Sequence, residues 1–219
     1  MKVIITGATG MVGEGVMLAC VENPTVDAIL SVSRRSYGPL PPKVSECIVA
    51  DFLELDAVAS QLRGYDACFF CAGVSSVGKT EAEYTRITYD TTLHFARTLA
   101  ALNPAMVFTY VSGAMTDSTE KGRVMWARVK GRTENALLNA GFRAAYNFRP
   151  GFMQAMPGQR NLPSWFKWIG WHFPIVRAVA PNHVSTLHDV GLAMIACATR
   201  GYSKPILEIK DINQLAREQ

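Results

Sequence analysis

The run TGATGMVG, residues 6 to 13, constrains this chain more than any other stretch. It follows VIIT (3 to 6), which reads as a strand, and it opens a helical pattern over residues 11 to 22. Each glycine has a mechanical task. Gly7 permits the tight turn, Gly10 lets the backbone approach a ligand, and Gly13 lets the helix pack on the strand. Ala8, Thr9, Met11 and Val12 complete the loop. Free N–H groups at a helix start attract phosphate, so the arrangement predicts a dinucleotide pyrophosphate at residues 7 to 13.

Short apolar runs then alternate with longer helical patterns. Strands are expected at 28 to 33, 46 to 52, 66 to 73, 103 to 113 and 142 to 151. Helices are expected at 55 to 64, 81 to 102 and 123 to 140. This order predicts βαβ units and a doubly wound α/β fold with a parallel, Rossmann-type sheet. The strands are apolar throughout, as befits strands covered on both faces. After Gly151 the texture changes to a segment rich in proline and tryptophan. A helix at 187 to 199, a strand at 205 to 211 and a short terminal helix follow. Residues 1–151 are therefore assigned to the dinucleotide-binding core. Residues 152–219 are assigned to a substrate or lid lobe plus a returning helix and strand, all in one compact domain.

The 219 residues are 49% hydrophobic and carry a net charge of +4, enough for one sizeable core and mildly favourable to anionic ligands. Nothing in this requires nucleic acid. No basic and apolar leader opens the chain, and no apolar run reaches the length of a membrane span, so a cytoplasmic protein is expected. The five cysteines, Cys20, Cys47, Cys68, Cys71 and Cys197, read as reduced packing groups. Cys68 and Cys71 have C-x-x-C spacing, but residues three apart on a strand point to opposite faces. His183 and His188 are five apart, also poor geometry for a shared metal. No metal site is expected.

The end of the second strand meets the adenosine ribose in this geometry, and an acid there favours NAD. Here stand Ser33, Arg34 and Arg35. Asp27 has about the right distance from Gly7 but precedes the strand. Two guanidinium groups suit a 2′-phosphate, so NADP is favoured over NAD. The alternative is a solvated loop pair.

An ordered series now comes into view: TGATGMVG, ADF with Asp51 and Phe52, CAG (71 to 73), YVSG with Ser112, WARVK and RPG (149 to 151). On this series the chain resembles the short-chain dehydrogenase/reductase superfamily, in its atypical and extended branch of epimerase/dehydratase-like, NAD(P)H-binding proteins. The resemblance covers residues 1 to 151 well and the rest loosely. It implies that Asp51 and Phe52 flank the adenine and that Cys71, Ala72 and Gly73 line the cofactor. It places Ser112 beside nicotinamide and substrate, Lys130 on the nicotinamide ribose, and Pro150, Gly151 and Phe152 at the nicotinamide end.

The departure is Trp126, where active members carry a tyrosine acid four residues before the lysine. Indole offers only an N–H donor. Losing a positioned general acid costs roughly 10²–10⁴ in rate. Other candidate donors are Tyr110, which shares a face with Ser112 on a regular strand, Thr116, Asp117, Tyr84, Tyr89, His172 and His183.

SWFKWIGWHF (164 to 173) spaces Trp165, Trp168 and Trp171 three apart among further apolar residues. A lid over the site, favouring an apolar substrate, is the preferred account. A patch for a membrane surface or a partner is the alternative. The expected protein is an NADP-dependent oxidoreductase or epimerase acting on a small apolar carbonyl or alcohol, as monomer or homodimer. The competing class is a non-catalytic NADP sensor or scaffold.

Overall fold

The computed structural model describes residues 1–162 and 184–218. Seven strands form one sheet: β1 (Lys2–Thr6), β2 (Ala28–Ser33), β3 (Val44–Ile48), β4 (Ala67–Phe70), β5 (Val107–Val111), β6 (Ala144–Arg149) and β9 (Ile206–Glu208). Their order is β3-β2-β1-β4-β5-β6-β9, and every pairing is parallel. A separate parallel pair joins β7 (Phe152–Gln154) to β8 (Val184–Thr186).

Both faces of the sheet are covered, which explains the unbroken apolar runs. Val3 and Ile5 face one core with α1 (Met11–Glu22) and α5 (Leu187–Thr199), beside α6 (Ile209–Arg217). Ile4 faces the other, against the 3₁₀ segment Asp56–Leu62, α3 (Thr91–Leu102) and α4 (Met125–Leu137). Small residues set the spacing of α1 and α5. A Cβ on Gly191 would stand 2.5 Å from that of Ala19, and one on Gly15 would stand 2.6 Å from that of Leu187.

The helical pattern over 81 to 102 is continuous but not uniform. α2 (Glu81–Thr85) passes through one wider π turn, Arg86–Asp90, into α3. Thr80 starts it with a capping box: Glu83 N–H donates to the Thr80 hydroxyl, and Thr80 N–H donates to the Glu83 carboxylate at 2.8 Å.

Several expected boundaries need correction. The third strand ends at Ile48 rather than 52, and the fourth at Phe70 rather than 73. The strand expected at 205 to 211 stops at Glu208, whose N–H donates to Asp211 at 3.1 Å as α6 begins. The segment 55 to 64 is 3₁₀ rather than α-helical. Cys68 packs in one core and Cys71 against the other, both as free thiols, and burial pushes Cys71 up to about 12.

Candidate functional site

β1 and β4 are neighbours whose crossovers leave in opposite directions, so a crevice opens above their C-terminal ends. The glycine turn fills its floor. Gly7 has φ 75°, and a Cβ there would lie 2.8 Å from the Ala72 nitrogen. Gly10 N–H donates to the Gly7 carbonyl at 2.9 Å. A Cβ on Gly13 would strike that carbonyl at 2.2 Å, so only glycine lets α1 start so near the strand. The Thr6 hydroxyl accepts from the N–H groups of Cys71 and Ala72 at 3.2 and 3.1 Å, fixing the two strand exits together.

The crevice encloses about 540 Å³. Of the residues singled out in the sequence, Gly7, Thr9, Gly10, Met11, Val12, Gly13, Arg34, Arg35, Asp51, Phe52, Cys71, Ala72 and Gly73 line it. Ala8 does not, being fully buried beneath the turn. Phe52 stacks on Phe95 of α3 with ring centroids 5.0 Å apart, which holds the 50–53 wall in place. Ser33, Ala50, Leu53, Val74, Arg86, Ile87 and Thr91 also line the crevice.

Ser112, Trp126, Lys130, Pro150, Gly151 and Phe152 lie outside this lining. Ser112 is buried, and its hydroxyl donates to the carboxylate of Glu134 on α4; the Phe148 carbonyl lies 3.1 Å from the same oxygen. Glu134 is fully buried. Arg149 Nε donates to it at 3.0 Å, and the same guanidinium reaches Glu208 at 3.2 Å. The pairing with Glu134 raises the Arg149 pKa further above its already high value. Lys130 points inward as well. Its ammonium donates to the backbone carbonyls of Ser112 and Val111, and burial lowers it from 10.5 to about 8. Trp126 is half-buried on α4, one turn before Lys130. The Pro150 carbonyl accepts from Ala114 N–H at 3.1 Å, and Phe152 begins β7.

The alternative proton donors fare unevenly. Tyr110 does share the α4 side with Ser112, but it is buried among aromatic rings, and burial drives its pKa well above the usual range. Tyr84 is buried and raised for the same reason. These two are core residues. The Tyr89 ring carries the Arg132 guanidinium at 4.3 Å. Thr116 donates to the Gly113 carbonyl at 2.7 Å. Asp117 accepts from Thr119 and Gly122, which lowers its pKa and makes it a loop anchor. His172, His183 and the Trp165, Trp168 and Trp171 lobe lie outside the described residues.

Sequence reasoning missed three charged residues. Glu14 is fully buried one position after the last turn glycine. It accepts from Tyr37 at 2.8 Å and from the N–H groups of Arg160 and Asn161 at 2.9 and 2.7 Å. Its signal was a carboxylate beginning an otherwise apolar helix. Glu134 follows Lys130 by four residues, hence on the same helix face. Arg86 carried no signal, because the π turn that aims it is not written in a pattern of period 3.6.

Fold and crevice together define a Rossmann-type dinucleotide-binding protein. Residues 3–121, more than half of the chain, match the NAD dependent epimerase/dehydratase family, and the chain belongs to that family. This family agrees with the resemblance to the extended short-chain superfamily carried by the ordered series of motifs. The leucinostatins biosynthesis cluster protein T of Purpureocillium lilacinum is 32% identical over 118 residues, 51% of this chain and 42% of that protein. The chain therefore spans less than half the length of that relative. The mitochondrial protein fmp52 of Emericella nidulans is 28% identical over 168 residues, 73% of this chain and 69% of that one. Among solved structures, WbmF of Bordetella bronchiseptica with NAD⁺ superposes at TM-score 0.65 and 16% identity, covering 99% of this chain and 77% of that one. A short-chain dehydrogenase of Burkholderia cenocepacia J2315 with NADP superposes at 0.66 and 15%, covering 97% and 91%.

Proposed function

We propose that this chain is an NADP-dependent oxidoreductase or epimerase that acts on a small, largely apolar carbonyl or alcohol. The observation that carries the cofactor choice is the crevice wall at the end of β2. Arg34 and Arg35 line it, both exposed and with no side-chain hydrogen bond or ion pair among the described residues. The floor suits a dinucleotide, since glycine at 7 lets the turn lie against the β4 exit and glycine at 13 lets α1 start directly behind it. Gly7 to Gly13 would hold the pyrophosphate, Arg34 and Arg35 the 2′-phosphate, and Asp51 and Phe52 the adenosine. The bound nicotinamide would supply or accept the hydride. Lys130 would hold its ribose, and Ser112 would polarise the substrate oxygen after turning from Glu134. Residues 1–151 would carry the cofactor and residues 152–219 would shape the substrate side. A cytoplasmic monomer or homodimer fits this reading. Among the described residues no helix is long and apolar enough to cross a membrane.

A second reading has its own observation. Trp126 replaces the tyrosine acid, and the Ser112 hydroxyl is spent on Glu134. On that reading the chain binds NADP without turning it over and contacts a partner or membrane through its Trp-rich segment.

Melting temperature measured with NADPH and with NADH tests the cofactor. NADPH should raise it more, and equal or absent shifts would refute the NADP assignment. NADPH consumption across a carbonyl panel separates the two readings. Trp126→Tyr sharpens the result: activity gained from an inert parent marks a disabled enzyme, whereas activity lost marks a site working with another donor.

A further inference from the structure

We propose that Arg86, delivered into the crevice by the π turn between α2 and α3, is a third phosphate-binding arginine that closes on the dinucleotide pyrophosphate. The inference rests on the dinucleotide reading of the crevice and adds a residue on the wall opposite Arg34 and Arg35.

The helix register is the first observation. Arg86, Ile87 and Thr91 all line the crevice. In an α-helix, residues five apart stand about 140° apart around the axis. The Thr91 N–H instead donates to the Arg86 carbonyl, the i→i+5 bond of a π turn, which brings the two residues nearly into line. The Thr91 hydroxyl donates to the same carbonyl at 3.0 Å and locks the wider turn. π turns cost hydrogen-bond quality and recur at functional sites.

Placement is the second observation. The helix bearing Arg86 follows the β4 exit, and that exit touches the glycine turn so closely that a Cβ on Gly7 would meet Ala72 at 2.8 Å. The glycine turn, the β4 exit and Arg86 line one crevice, so on the pyrophosphate reading the diphosphate would lie in the same space as Arg86. Arg34 and Arg35 approach from the β2 end, where the ribose phosphate belongs. The Arg86 guanidinium makes no hydrogen bond or ion pair among the described residues, although Arg128 pairs with Glu81 and Arg132 lies over the Tyr89 ring. A free guanidinium facing a crevice floored by helix N–H groups matches two anionic oxygens, which a planar fork can bind as a pair. Ile87, 41% exposed, supplies an apolar neighbour for the adenine side.

Binding of NADPH, NADH and ADP to the parent, Arg86→Ala, Arg86→Lys and the double variant Arg34→Ala/Arg35→Ala tests the assignment. ADP carries the diphosphate and lacks the 2′-phosphate. Arg86→Ala should weaken all three ligands by about tenfold or more, with Arg86→Lys recovering part of the loss, as expected for a charge-assisted contact. The double variant should weaken NADPH selectively. The melting temperature of ligand-free Arg86→Ala should equal the parent's, because the side chain holds nothing else in place. A loss confined to NADPH would overturn the proposal, since Arg86 would then serve the ribose phosphate. An unchanged affinity for all three ligands would also overturn it. Equal parent affinity for NADPH and NADH, with the uniform Arg86 loss intact, would refute the NADP preference and leave the Arg86 assignment standing. A parent that binds none of the three removes both.

Discussion

The crevice and the Ser112–Glu134–Lys130 cluster outside its lining form two halves of a candidate site, built on different principles. The crevice half is lined by a glycine turn that local sequence dictates and by arginines after β2 without side-chain partners. In the other half, proposed for the nicotinamide, the polar groups already have partners within the protein. The Ser112 hydroxyl donates its hydrogen bond to Glu134, and the Lys130 ammonium donates to two backbone carbonyls. One half stands ready for a ligand, while the other must first exchange internal contacts for external ones. On the proposed function, binding and chemistry would then be separable, and Trp126 would bear on rate rather than on cofactor capture.

The largest effect expected lies in the spent half. Glu134→Ala strips the carboxylate from Arg149 and Ser112 and should cost about 3 kcal/mol or more of stability, read from denaturant unfolding. A cost under 1 kcal/mol would show that Glu208 alone satisfies Arg149, and the contrast between the halves would weaken.

Next comes the loop that roofs α4. A Cβ on Gly131 would stand 1.8 Å from the Asp117 carbonyl. Gly131→Ala should destabilise by roughly 1–3 kcal/mol through forced displacement of that loop. If the loop yields freely, the melting temperature will not move.

A smaller and selective effect belongs to the ready half. Replacing Arg34 and Arg35 together by Ala should cost about tenfold in NADPH affinity, or about 1.4 kcal/mol, and leave NADH nearly untouched. Equal losses for both would place the pair on a shared phosphate.

Lys130 is read against pH instead. Burial holds its ammonium at about 8 against the ordinary 10.5, so the unfolded chain binds the extra proton between those values. Stability should therefore rise as pH climbs from about 8 to 10.5, the burial cost being fully present below that window. Lys130→Met should flatten the rise relative to the parent. An unchanged slope would show the amine to be well solvated.

Much of the first half was legible because its determinants are local. TGATGMVG is a contiguous run, and apolar strands separated by helical patterns leave little choice of topology. The boundary errors have local causes too. PILEIKD is apolar enough for a strand, yet α6 begins at Ile209 behind Glu208, not one of the residues that usually announce a helix. The Ser112–Glu134–Arg149 cluster joins residues 22 and 15 positions apart in sequence. Nothing in YVSG or RPG says that a carboxylate on α4 will meet them. Tyr110 was left open for a related reason: its alternation with Ser112 gave the side, but the depth of packing beneath α4 is a tertiary fact.

Glu14 bears on how freely parts of this fold can be exchanged. Its carboxylate takes the Tyr37 hydroxyl from the loop after β2 and two peptide N–H groups from residues 160 and 161, while Gln159 donates to the Met11 carbonyl at 2.7 Å. The glycine turn and a strap nearly 150 positions downstream thus form one graft unit. Transplanting the N-terminal βαβ segment from a relative that lacks this carboxylate would strand two amides with no acceptor, so a working chimera has to carry both pieces together.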